Sequence, residues 1–83
     1  MTHNISKISI LFFAAIRERA GTDVVRVVAV DGMTVDDAVG AACKAAPGHI
    51  ELGTAVMLAL NGEYVARDHL VSSGDEIAVI PPV

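Results

Sequence analysis

Tryptophan is absent from this 83-residue chain, cysteine occurs once, and the aromatic residues are Phe12, Phe13 and Tyr64. A lone cysteine cannot form an internal disulfide, so Cys43 excludes a stapled secreted scaffold and suits a reducing cytoplasm. Positive charge is sparse and ungrouped. Lys7, Arg17, Arg19, Arg26, Lys44 and Arg67 are scattered through a chain of formal net charge −4. That balance excludes a nucleic-acid surface and favours a partner with a basic docking face. The sequence also has no apolar run of membrane-spanning length and no signal-peptide pattern at its N-terminus, which predicts a cytoplasmic protein without a membrane span.

Catalytic sets are missing too. His3, His49 and His69 fall at no metal-ligand spacing, and the glycines stand singly at turns rather than in a phosphate-cradling run. His49 and His69 read as solvated loop imidazoles and His3 as part of a frayed end at residues 1–4. Cys43 lies in the apolar stripe of a helix, where a small core residue is expected rather than a reactive thiol. Asp36 and Asp37 fit helix-start charge, and Asp75 and Glu76 fit a turn leading into a strand. The folded body therefore offers no active site, no metal site and no bound cofactor.

What is abundant is aliphatic mass: the chain is 53% hydrophobic. A domain this short buries only a little over ~60% of its unfolded surface, so part of that mass is expected to face a partner. Alternation predicts a first strand over Ile5–Ala14, with Ile8, Ile10 and Phe12 on one face and Leu11 and Phe13 on the other. Ile16–Gly21 reads as a polar connection, and Asp23–Val30 as a second strand forming an antiparallel hairpin with the first. Thr34 is a good N-cap for a helix running to about Ala46, with Asp37 at its third position and Val35, Ala38, Val39, Ala42, Cys43 and Ala46 as the buried stripe. Further strands are expected at Ala55–Leu60, Glu63–Val65 and Glu76–Ile80. Asn61-Gly62 is a tight hairpin turn, and 68–73 a helical turn or loop.

Two hairpins separated by one helix give a single α+β domain over 1–83, a mixed sheet with the helix on one face. Placing the apolar first and last strands side by side and parallel at its centre makes it a β-grasp (ubiquitin-like) fold. The alternation then sets Phe13, Tyr64 and Ile80 on the face opposite the helix, where large apolar groups are costly unless covered. Tyr64 alone is equally well explained by loop shielding; Phe13 and Ile80 together point to a protein partner. Pro81 and Pro82 end the last strand and stiffen its exit.

Several motifs resemble those of the small, sulfur-carrying subunit of molybdopterin synthase. They are Ile10-Leu11-Phe12-Phe13-Ala14-Ala15-Ile16-Arg17-Glu18, Thr34-Val35, Ala59-Leu60-Asn61-Gly62 and the run from Gly74 to Val83 ending Ile80-Pro81-Pro82-Val83. The likeness covers residues 8–83 and implies a carrier rather than an enzyme body. In that family a C-terminal Gly-Gly is adenylated with ATP by an activating enzyme and converted to a thiocarboxylate. The charged carrier then docks on a large catalytic subunit and gives sulfur to a pyranopterin.

By the same resemblance Phe13, Tyr64 and Ile80 contact the large subunit, and Pro81, Pro82 and Val83 form the neck of the tail. The family pattern continues past Pro-Pro-Val with one small residue and Gly-Gly, so the expected reactive glycine lies beyond Val83, roughly 10 Å of extended chain away. Other readings are a carrier for thiamine, cysteine or tRNA sulfur, and a tailless β-grasp interaction module without chemistry.

Overall fold

The computed structural model describes residues 6–53 and 55–82. The expected fraying of residues 1–4 and the neck residue Val83 lie outside the described residues. Strands β1 (Lys7–Phe12), β2 (Val24–Val28), β3 (Met57–Leu60), β4 (Glu63–Tyr64) and β5 (Glu76–Ile80) form one sheet in the order β2-β1-β5-β3-β4. β1 and β5 run parallel at its centre, and every other pairing is antiparallel. This is the β-grasp arrangement expected from the pattern of strands.

Helix α2 (Val35–Ala45) crosses one face of the sheet. Thr34 accepts a hydrogen bond from the Asp37 backbone N–H, and the Asp37 carboxylate accepts one from the Thr34 N–H, a complete capping box. The six stripe residues read from the sequence are all buried. They close over Ile8, Ile10, Phe12, Leu58, Ile77 and Val79, the inward members of β1, β3 and β5. Cys43 is one of these packing residues, and burial pushes its thiol up, away from the reactive thiolate.

Two expectations are corrected. Ile16–Gly21 is not a plain connection: Ala14–Ala20 forms a further helix, α1, which links β1 to β2 in place of a short loop. Ile16 and Ala20, four residues apart, are its buried face. Gly21, at φ 77, ends it in the left-handed conformation and donates its N–H to the Arg17 carbonyl. The first and third strands are shorter than their apolar runs, because Phe13 already serves as the N-cap of α1 and β3 begins only at Met57. Residues 68–73 are a loop, one of the two forms expected for them. Leu70 bridges Thr34 in extended conformation, with Val35 N–H donating to the His69 carbonyl and Val71 N–H to the Met33 carbonyl.

One glycine contact holds α1 in place. A Cβ at Gly48 would sit 1.9 Å from the Arg19 carbonyl oxygen, and the Gly48 N–H donates to the Ala20 carbonyl at 2.8 Å. Only a residue without a side chain lets the segment after α2 lie this close to the end of α1.

Candidate docking face and tail exit

The registers fix which residues share the face away from α2. Leu11 lies beside Ala78, Met57 opposite Ile80, Ala59 opposite Ala78, and Tyr64 opposite Ala59. Ile77 and Val79 point into the core, so Ala78 and Ile80 project outward. The small Ala59 and Ala78 form the floor of an open depression of about 580 Å³, walled by Phe13, Tyr64, Ile80 and Pro81. Phe13 is 45% exposed and Tyr64 66%, unusual for aromatic groups in a domain with so few.

Ala14 positions this wall. It turns the chain out of β1 with φ 51, a left-handed conformation that is uncommon for a residue with a Cβ. Phe12 is thereby left in the core while Phe13 caps α1 at the rim of the depression. On the opposite wall, the β3–β4 turn has Asn61 at φ 49 and Gly62 at φ 90, the geometry of a tight two-residue hairpin.

Asn61 also ties that turn to the start of β5. Its backbone N–H donates to the Glu76 carbonyl, its side-chain oxygen accepts from the Glu76 N–H, and its side-chain amide donates to Asp75 Oδ1 at 3.0 Å. The other oxygen of Asp75 accepts from the Ser72 N–H at 2.7 Å. The Asp75 carboxylate is thus a structural acceptor, which matches its reading as part of a turn. Gly62 and Tyr64 are fixed relative to Ile80 through this link, so the depression is set by hydrogen bonds as well as by packing.

The structure brings together Phe13, Tyr64, Ile80 and Pro81. Pro82 follows, exposed, and Val83 lies outside the described residues. Met57, 47% exposed and directly opposite Ile80, belongs to the same face and is not picked out by the sequence pattern. Its strand reads Met-Leu-Ala-Leu, apolar at every position, so alternation within it assigns no outward side; only the register with β5 does.

Residues 10–83 match the ThiS family. The chain belongs to the ThiS family. Among its relatives, the molybdopterin synthase sulfur carrier subunit of Escherichia coli (strain K12) is 38% identical over 79 residues, covering 92% of this chain and 95% of that protein. The molybdopterin synthase sulfur carrier subunit of Arabidopsis thaliana is 32% identical over 77 residues, covering 93% of this chain and 80% of the relative. The crystal structure of the H. volcanii small archaeal modifier protein 1 superposes with a TM-score of 0.82 at 32% identity, over 94% of this chain and 99% of that one. The likeness read from the sequence motifs and the two sulfur-carrier relatives therefore agree.

Elsewhere on this ThiS-family domain a second, smaller cleft of about 360 Å³ lies between α2 and residues 50–52. Arg67 closes one side of it, ion-paired with Asp36 at 2.8 Å and donating to the Gly53 carbonyl. Among the described residues no grouping of His, Cys, Asp or Glu could hold a metal ion, and no helix is long and apolar enough to cross a membrane.

Proposed function

We propose that this chain is the sulfur carrier subunit of a molybdopterin synthase, delivering sulfur from a C-terminal thiocarboxylate to a pyranopterin precursor in the cytoplasm. The observation that carries this reading is the junction of β5 with the depression: Ile80 and Pro81 wall an exposed apolar face at the point where the chain leaves the body. A partner seated on that face receives the tail directly into its own active site.

The chemistry needs nothing from the body. A carboxylate is a poor electrophile. An ATP-dependent activating enzyme joins it to AMP and releases pyrophosphate, and a sulfur donor then displaces AMP to leave the thiocarboxylate. The large catalytic subunit supplies the pocket for the pyranopterin, and Phe13, Tyr64, Ile80, Pro81, Pro82 and Val83 supply the grip on that subunit. Burying each large apolar group there contributes on the order of 1.5–3 kcal/mol. Asn61 and Asp75 keep the grip in shape without touching the reaction.

The test is the intact mass of the protein made from its own gene, before and after incubation with ATP, an activating enzyme and a sulfur donor. One sulfur in place of one oxygen at a C-terminal glycine is expected. A mass that ends at Val83, or one that never changes, overturns the carrier reading and leaves an interaction module. Which large subunit co-purifies then separates molybdopterin synthesis from thiamine, cysteine or tRNA sulfur transfer.

A further inference from the structure

The two edges of the sheet are unlike. β4 is only two residues long, a short edge that offers little to pair with, whereas β2 presents five. Hydrogen bonding fixes which of its groups are free. Phe12 N–H donates to the Asp23 carbonyl and Ala29 N–H to the Ser6 carbonyl, so the odd-numbered residues of β2 bond inward to β1. The even-numbered residues Val24, Arg26 and Val28 direct their backbone groups to the open side.

One end of that row is closed, and at the other the carbonyl is taken. Thr22 Oγ1 accepts from the Val24 N–H and donates to the Val24 carbonyl, and the Val30 carbonyl accepts from the Met33 N–H. What remains is a two-rung ladder, the N–H and C=O of Arg26 and Val28.

The side chains on these rungs describe what fits. Arg26 is exposed and makes no ion pair among the described residues, and Val28 is 53% exposed. Lys7, opposite Val28 on β1, adds a second cation on the same face. A second copy of the chain is a poor occupant. Two-fold pairing about Val27 would satisfy both rungs, but it sets the two Arg26 side chains on the diagonal. Like charges meet there, between molecules each carrying net charge −4.

We propose that the β2 edge docks an extended segment of another protein, adding it as a sixth strand through Arg26 and Val28, with an acidic side chain opposite Arg26 and an apolar one two residues away opposite Val28. Backbone pairing supplies the affinity, and Arg26 supplies the selection. This edge belongs to the strand farthest in sheet order from β4, and the inference stands whether or not the chain carries sulfur.

The experiment is residue-resolved amide hydrogen exchange on the full chain, alone and with two short capped peptides. Both alternate valine and threonine around one central residue, glutamate in the first and lysine in the second. In the free chain the Arg26 and Val28 amides exchange fast while those of Val25 and Val27 are protected. With the glutamate peptide at about ten times its dissociation constant, mass action slows Arg26 and Val28 about tenfold. The lysine peptide leaves them unchanged.

Arg26→Glu, an exposed substitution, reverses the preference between the peptides while β5 amides keep their protection. Unchanged exchange with the glutamate peptide at millimolar concentration overturns the proposal, as does equal slowing by both peptides. Protection that rises with protein concentration and needs no peptide overturns it in favour of self-association.

Discussion

On the helix-covered side of the sheet, Ile8, Ile10, Phe12, Ile77 and Val79 are no more than 1% exposed, while on the opposite side Phe13, Met57 and Tyr64 keep 45–66% of their surface. The two sets are similar in chemistry and interleaved in sequence. Phe12 and Phe13 are neighbours, as are Val79 and Ile80. One step along the chain therefore separates a residue that stabilises the fold from one set on the opposite face. Stability and docking should accordingly be separable by single substitutions at adjacent positions.

The sharpest way to break that separation is to show that it fails at the two phenylalanines. Phe12→Ala opens a cavity in the core of a small domain and should cost about 3–5 kcal/mol, a large part of a typical total near 5–15 kcal/mol. Phe13→Ala should cost less than about 1 kcal/mol, since the ring is half exposed. Paired denaturant titrations decide it, and equal losses would mean that Phe13 is a core residue after all.

Charge insertion on β5 gives the next largest effect. Ile80→Asp should leave the midpoint of thermal unfolding within a few degrees while weakening binding to the large subunit by at least about 2 kcal/mol, roughly thirtyfold. Val79→Asp places the same carboxylate among buried apolar groups and should unfold the chain. Calorimetric binding to the co-purified large subunit, alongside a melting curve for each variant, distinguishes the two.

Most of this contrast is legible in the sequence, because strand alternation is a strong signal where polar residues interrupt it. In β1, Lys7 and Ser9 mark the outer face and Ile8 and Ile10 the inner. The capping box at Thr34 and the Asn61-Gly62 turn were equally clear, each being a local chemical device with few alternatives. Helix α1 was not. Only Ile16 and Ala20 mark its buried side, seven residues barely make two turns, and its N-cap, Phe13, offers no side-chain hydrogen bond. The backbone reversal at Ala14 left no trace either, since alanine carries no preference for the left-handed region that glycine would have announced. At the docking face, Met57 was hidden because its strand is apolar throughout, so its side follows only from a long-range register.

A smaller effect should fall wholly on the core side. Thr34→Ala removes one half of the capping box and leaves the N–H of Asp37 without its hydroxyl acceptor, for a loss of about 1 kcal/mol in stability. Docking at the opposite face should not change. If binding to the large subunit weakens as well, the two faces are coupled through α2 rather than independent.

The smallest predicted effect tests how far the docking face extends. Met57 sits opposite Ile80 but does not line the depression itself, and its thioether chain is long and adaptable. A partner that covers Ile80 fully must also pass over Met57, since directly paired residues on one face lie only about 4.5–5.5 Å apart at Cβ. Met57→Ala should then weaken binding by about 0.5–1 kcal/mol, two- to fivefold, with no measurable change in unfolding. An unchanged dissociation constant would confine the contact to the Phe13–Tyr64–Ile80 side and leave Met57 as an ordinary exposed apolar residue. A loss as large as that of Ile80→Asp would move the centre of the interface onto β3, with Ile80 at its rim.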